Sequence, residues 1–209
     1  MVEKTNDNSD KDLSLRKLQS VKTRKHIFDT AISLFKKNGY YNVRVQDITK
    51  EAEVSKGSFY THFDAKQDII VEEYKMLDNE YVKLKNELTQ FDSYVEQLFY
   101  FVENVYRQCH GNFGYELIYV IYDTQLTYSK KDTFIIDESR PLYYILEEII
   151  EAGQKSNEFT DEISANKMTK MIIRLMRGTL YDWCLYDGKF NSVEEGMILM
   201  KLFFKGIKK

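Results

Sequence analysis

The sequence predicts an all-α chain in two parts, a small basic unit of short helices followed by a larger acidic helical one. Three observations predict it. Proline occurs once, at Pro141, and glycine only nine times in 209 residues, so long stretches carry no helix breaker. Apolar residues recur at helical spacing in block after block, and no pair of alternating runs reads as strands. Charge is divided: residues 13–66 hold eleven Lys/Arg against five Asp/Glu, whereas 67–209 hold seventeen against twenty-four and 1–12 two against four. The chain's net charge of -3 hides this split. A basic first third and an acidic remainder imply separate jobs, the first facing a polyanion.

The expected parts are a flexible tail over 1–19, a first domain over 20–66 and a second over 67–209. The tail is assigned because MVEKTNDNSDKD is polar and acidic. From about Ser20 to Lys37, Ile27, Ala31, Leu34 and Phe35 form one apolar stripe, and Asn38-Gly39 ends the helix. A short helix from Val45 to Glu53 puts Ile48 and Ala52 on one face. Ser55 caps the next one, on which Phe59 and Phe63 share the inner side. Asp64 with Gln67 forms a D-x-x-Q arrangement that opens a long helix from about Ala65 to Leu88.

Helical blocks then follow at Asp92–Gln108, Gly114–Tyr128 and from about Ser139 to Lys155. His110-Gly111-Asn112 breaks the first from the second, residues 129–137 read as a loop, and Pro141 suits a first helical turn. Two more helices span Ser164–Tyr186 and Val193–Ile207, with Ser192 and Glu195 as a capping box for the last.

The stretch VSKGSFYTHF, residues 54–63, carries the chemistry. Two short helices joined by a tight turn inside the basic third make a helix-turn-helix, whose second helix enters the major groove. Phe59 and Phe63 anchor it from within. Lys56 and Tyr60 lie four apart on another face. Gly57 lets the helix start press close to the DNA backbone. Ser58, Thr61 and His62 remain as short polar groups for base edges, and Tyr60 offers a phenol to phosphate.

The 48 residues from Thr23 to Ile70 resemble the TetR family of bacterial one-component repressors. The resemblance rests on Thr23-Arg24, Ala31 with Leu34-Phe35, Gly39-Tyr40, Asp47-Ile48, Val54-Ser55-Lys56-Gly57, Tyr60 with His62-Phe63, and Lys66, in order and in spacing. It implies an N-terminal three-helix helix-turn-helix DNA-binding domain, followed by a larger C-terminal helical ligand-binding and dimerisation domain. Residues from Ser55 to His62 would then sit at the DNA interface, namely Ser55, Lys56, Gly57, Ser58, Tyr60, Thr61 and His62. Lys66 would bind a phosphate at the start of the fourth helix, and Arg44 and Gln46 would lie near the backbone at the start of the second. Two residues depart from the family pattern. Arg44 stands where Thr or Ser usually caps the second helix, with Asn42 as a substitute cap. Glu53 stands where the turn usually has Gly; a left-handed Glu there costs about 1–2 kcal/mol.

RGTLYDWCLYDGKF, residues 177–190, looks like the family's penultimate helix and the turn after it. In the last helix Val193, Met197, Met200, Phe204 and Ile207 form one stripe and Ile198, Leu199, Leu202 and Phe203 another. A small domain does not readily bury both, so the last two helices are expected to form a four-helix bundle with a second copy. That homodimer would read a palindromic operator. The middle helices supply Phe99, Glu103, Tyr106, Tyr115, Glu116, Tyr119, Tyr122, Tyr143 and Trp183, an aromatic set with a few polar groups, expected to line the pocket of a small-molecule effector. Glu103 or Glu116 would favour a cation. Effector binding would lower DNA affinity.

Other classes lack their residues. There is no E-x-x-H, and His26, His62 and His110 are the only histidines. The Cys109-His110 pair suits neither a metal site nor a triad, and no Gly loop cradles phosphate, so neither enzyme, metal nor cofactor is expected. The two cysteines, Cys109 and Cys184, form no CxxC, no signal peptide is visible, and no run reaches about 18 apolar residues, so a cytoplasmic protein is expected. The rival reading is a helical effector-binding or protein-interaction protein that has lost specific DNA binding, supported by Glu53 and Arg44.

Overall fold

A computed structural model describes residues 6–127 and 134–209. Nine α-helices lie among them, with short 3-10 and π turns between. The chain divides into two compact units, Met1–Ile70 and Val71–Lys209.

The first unit holds α1 (Asn6–Asn38), α2 (Val45–Glu51), α3 (Lys56–His62) and the first turn of α4 (Lys66–Glu87). α1 begins at Asn6, so residues 6–19, expected as a flexible tail, are helical; residues 1–5 lie outside the described residues. No Gly or Pro interrupts the chain before Gly39, so nothing stops a helix seeded on the apolar stripe from running toward the N-terminus. Gly39 ends it at φ 79°, where its N–H donates to Phe35 O at 2.9 Å. Ile27, Ala31, Phe35, Ile48, Phe59 and Phe63 are buried and form the core of this unit. Asp68 caps the start of α4, accepting from Ala65 N–H at 2.8 Å. That carboxylate does the work the sequence assigned to Asp64 with Gln67, one residue later along the chain.

The second unit contains the rest of α4, a 3-10 turn (Leu88–Gln90), α5 (Tyr94–Arg107), a π turn (Gln108–Phe113) and α6 (Gly114–Thr127). A 3-10 turn (Phe134–Ile136), α7 (Pro141–Lys155), α8 (Ala165–Leu185) and α9 (Ser192–Ile207) complete it. The expected loop over 129–137 thus ends in a 3-10 turn, and residues 128–133 lie outside the described residues. α7 packs between α5 and α8, and α9 packs on both α5 and α8. The close approach of α5 and α9 needs Gly196, because a Cβ there would lie 2.3 Å from the buried Tyr106 ring.

α9 is capped by Asn191, whose side chain accepts from Val193 and Glu194 N–H groups. Ser192, expected as the cap, is instead the first helical residue. It is fully buried, 3.0 Å from Nδ1 of His110, so its hydroxyl is spent on the core. A second cap comes from far along the chain. The Glu158 carboxylate accepts from Ser93 Oγ at 2.6 Å and from the Tyr94 and Val95 N–H groups, closing the start of α5. Across the core, Arg140 at the start of α7 grips Asp78 of α4 through Nε and Nη2, at 3.0 and 2.9 Å.

Candidate nucleic-acid interface and effector core

The turn into α3 is built by backbone chemistry. Glu53 adopts φ 51°, so the left-handed place normally given to glycine is filled by a side chain. Val54 N–H then donates to Thr49 O at 3.0 Å, and Ser55 Oγ accepts from Ser58 N–H at 3.0 Å. Ser55 is therefore the expected cap. Below, Phe59 and Phe63 are buried with ring centroids 5.8 Å apart. Above, Lys56, Gly57, Tyr60 and Thr61 are exposed, and Ser58 and His62 are half-buried. The Lys56 ammonium lies 5.9 Å from the Tyr60 ring, so two groups suited to phosphate stand together. A Cβ on Gly57 would meet only Ser55 Oγ, at an ordinary 3.7 Å. Internal packing does not require this glycine; the room it leaves is on the outside. Thr61 Oγ1 donates to Gly57 O at 2.9 Å, which uses its one donor and leaves the hydroxyl as an acceptor.

At the start of α2, Arg44 is the cap residue in extended backbone, and its side chain caps nothing. Its N–H donates to the Asp47 carboxylate at 2.7 Å, half of a reciprocal cap. Arg44 and Gln46 are both exposed. Asn42 does not substitute as a cap of α2: its amide donates to Asn38 O and closes the end of α1. Lys66 makes contacts that the sequence did not suggest. Its Nζ donates to Tyr40 O and Val43 O, each at 2.8 Å, and lies 4.0 Å over the Tyr40 ring. Burial lowers its pKa. Two of its three donors pin the loop between α1 and α2, so it is a clamp within the unit before it is a ligand for phosphate. Arg24, which the sequence offers only as part of the family pattern, lies 4.7 Å over the Phe63 ring.

The aromatic set of the second unit does not share one pocket. Tyr122 lines a cavity of about 20 Å³ with Tyr74, Tyr81, Cys109, Met176 and Arg177 among its walls. Tyr143 joins that place through Arg177, whose Nη2 donates to its hydroxyl at 2.6 Å and also to Ile135 O. Tyr106 is buried beneath α9, donating to Thr179 Oγ1 at 3.2 Å. Trp183 stacks on His110, centroids 4.9 Å apart, with Tyr115 at its edge. Phe99 and Glu103 face an open groove along α5 and α9, where Oε1 of Glu103 is paired with Arg107 Nε at 3.0 Å. Glu116 is half-buried on α6 and Tyr119 is exposed. Helical spacing groups residues along one helix; which of them meet across the bundle depends on how far each helix is rotated. Arg177 and Tyr74 are missing from the expected set for that reason, and Arg177 is one of four cations on α8, with Lys167, Lys170 and Arg174, that the sequence alone does not tell apart. Burial pushes the Cys109 and Cys184 thiols up to about 12, so both stay protonated and inert at neutral pH.

Among the described residues no helix is long and apolar enough to cross a membrane. The chain matches two family models, "Bacterial regulatory proteins, tetR family" over residues 27–72 and "YsiA-like protein, C-terminal region" over residues 74–206. The Fatty acid metabolism regulator protein of Bacillus subtilis (strain 168) is 23% identical over 186 residues, 87% of this chain and 93% of that protein. Thermus thermophilus FadR, a TetR family transcriptional repressor solved in complex with lauroyl-CoA, superposes with a TM-score of 0.68 at 20% identity, covering 88% of this chain and 94% of its own. FadR from Bacillus subtilis in complex with stearoyl-CoA gives 0.65 at 22% identity, covering 88% and 98%. The first model spans the capped turn and α3 and the second spans nearly all of the helical unit that follows in sequence, more than half of the chain by itself, so the chain belongs to the tetR family of bacterial regulatory proteins.

Proposed function

We propose that this protein is a cytoplasmic, homodimeric transcriptional repressor that grips a palindromic operator with α3 of each subunit and releases it when an acyl-CoA enters the second unit. The observation that carries the DNA reading is the two-sidedness of α3. Phe59 and Phe63 lock it onto the core, while Lys56, Gly57, Tyr60 and Thr61 are exposed on the outer side, the Tyr60 ring also touching that of Phe59 with centroids 5.4 Å apart. Lys56 and Tyr60 hold phosphates, and Ser58, Thr61 and His62 approach base edges. Arg44 and Gln46 flank them at the start of α2. Measured by gel shift at fixed salt, Lys56→Ala and Tyr60→Ala should each weaken operator binding roughly tenfold. Full affinity in both variants would remove α3 from the interface.

The effector class is supported by the two FadR structures, whose ligands are lauroyl-CoA and stearoyl-CoA, and by a relative named for fatty acid metabolism that matches along most of the chain. The interior fits in kind. Val105, Leu142, Ile173, Met176 and Leu180 supply apolar wall, with Tyr74, Tyr122 and Arg177 as polar groups. At about 20 Å³ it is too small for an acyl chain, which must open the bundle to enter. That opening is the differential affinity a ligand needs to shift a conformational equilibrium. Lauroyl-CoA should dissociate the DNA complex where equimolar CoA does not. Equal effects of both, or none, would exclude an acyl-CoA effector and leave the DNA reading untouched.

A further inference from the structure

Five cations, Arg16, Lys17, Lys22, Arg24 and Lys25, fall between residues 13 and 26 with no acidic residue among them. The family model begins only at residue 27, so this run is outside the pattern that defines the helix-turn-helix. It is nevertheless continuous helix with the core of the first unit, because α1 starts at Asn6. Every residue from Leu15 to Lys22 is exposed.

Helical geometry says which way the charges point. Arg24 lies over Phe63, the residue that ends α3. Lys17 is seven residues earlier, two turns back on the same face, and Arg16 lies about 100° round the helix from Lys17, on the adjoining flank. At 1.5 Å rise per residue, Lys17 stands roughly 10 Å beyond Arg24 along α1. One side of the extension therefore carries positive charge outward from the end of the recognition helix. A DNA strand presents a phosphate about every 3.4 Å of axis, so a cation at that reach meets backbone beside the groove rather than bases within it.

We infer that Arg16 and Lys17 form a second phosphate-binding surface, which holds the DNA backbone flanking the groove occupied by α3. The inference rests on the reading of α3 as the groove-binding helix, and it extends the footprint beyond the block of helices that the family model matches. Such a surface adds affinity and salt dependence without adding sequence preference.

The test uses the full chain and two duplexes, one recovered with it by selection from a random pool and one scrambled duplex of equal length. Binding is followed by fluorescence anisotropy between about 50 and 200 mM salt. In the double variant Arg16→Gln with Lys17→Gln, the slope of log affinity against log salt should fall by about 0.9 for each phosphate that a subunit no longer neutralises. Affinity for both duplexes should drop by the same factor. The swap Arg16→Lys with Lys17→Arg should keep parental slope and affinity, which separates charge from helix stability. An unchanged slope in the Gln variant overturns the inference, and so does a loss confined to the selected duplex, which would mean base reading. The reading of α3 fails separately: Lys56→Ala would then bind like the parent while the α1 variant still loses slope.

Discussion

Glu53 concentrates the residue-scale physics of the interface. It sits at φ 51°, where an L side chain crowds its own carbonyl, yet the turn it makes delivers Ser55 to the cap of α3. Replacing it with glycine removes that crowding at the cost of a more flexible unfolded chain. Glu53→Gly should therefore raise stability by about 0.5–1 kcal/mol, and Glu53→Ala, which keeps the Cβ, should not. Thermal melts of the three proteins decide this. The same variant removes a negative charge beside the proposed DNA face, so its nonspecific DNA affinity should rise as well. Glu53 and Ser55 were both legible in the sequence because a turn and its cap are local. Lys66 was not, since the carbonyls it clamps lie 26 and 23 residues earlier and only the folded unit brings them near.

Helix ends show the same limit among the elements. The centres of the helices follow from apolar spacing, and most expected boundaries fall within a few residues of those observed. The misplacements have physical causes. α1 runs to Asn6 for want of a breaker, the cap of α9 moves to Asn191 because Ser192 is drawn into the core, and the expected break at His110-Gly111-Asn112 is bridged by a π turn. The start of α5 depends on Glu158, 65 residues beyond Ser93. Burial pushes the Glu158 pKa up, but hydrogen bonds from Ser93, Val95, Tyr94 and Ser156 outweigh it and leave the pKa below its usual 4.5. A carboxyl depressed by folding stabilises the protein above its unfolded pKa, and that contribution fades as pH falls through the folded value. Glu158→Ala should cost about 1–2 kcal/mol near neutrality through the lost cap. Glu158→Gln keeps an acceptor and should lose less, while flattening the fall in stability below pH 4.5. Urea melts at several pH values test both; an acid profile identical to the parent's would remove Glu158 from the linkage.

At the scale of the whole molecule the question is what covers the apolar surface that one chain leaves open. α9 has two stripes, and the fold uses only one: Met200 and Ile207 are buried, whereas Ile198, Leu199 and Leu202 are 45%, 39% and 57% exposed. α8 likewise buries Met168, Ile172, Met176 and Trp183 and exposes Tyr181 and Leu185, with Tyr186 exposed just past its end. The neighbouring helices are already engaged on the inner faces, so no element within the described second unit covers the outer ones. Water against so many large side chains on two packed helices is a standing cost that a second copy removes by pairing like with like. Leu199→Glu combined with Leu202→Glu places two charges per subunit in that seam, where a buried unpaired charge is unfavourable by several kcal/mol. The variant should sediment as a monomer at micromolar concentration with its helical content unchanged, because both side chains lie on the outer face of α9. Operator affinity should collapse with it, since each half-site would then be bound alone and engagement of the second would no longer be intramolecular. A variant that remains dimeric would move the interface off α8 and α9, and a monomer that keeps full operator affinity would show that the two heads do not act as a pair.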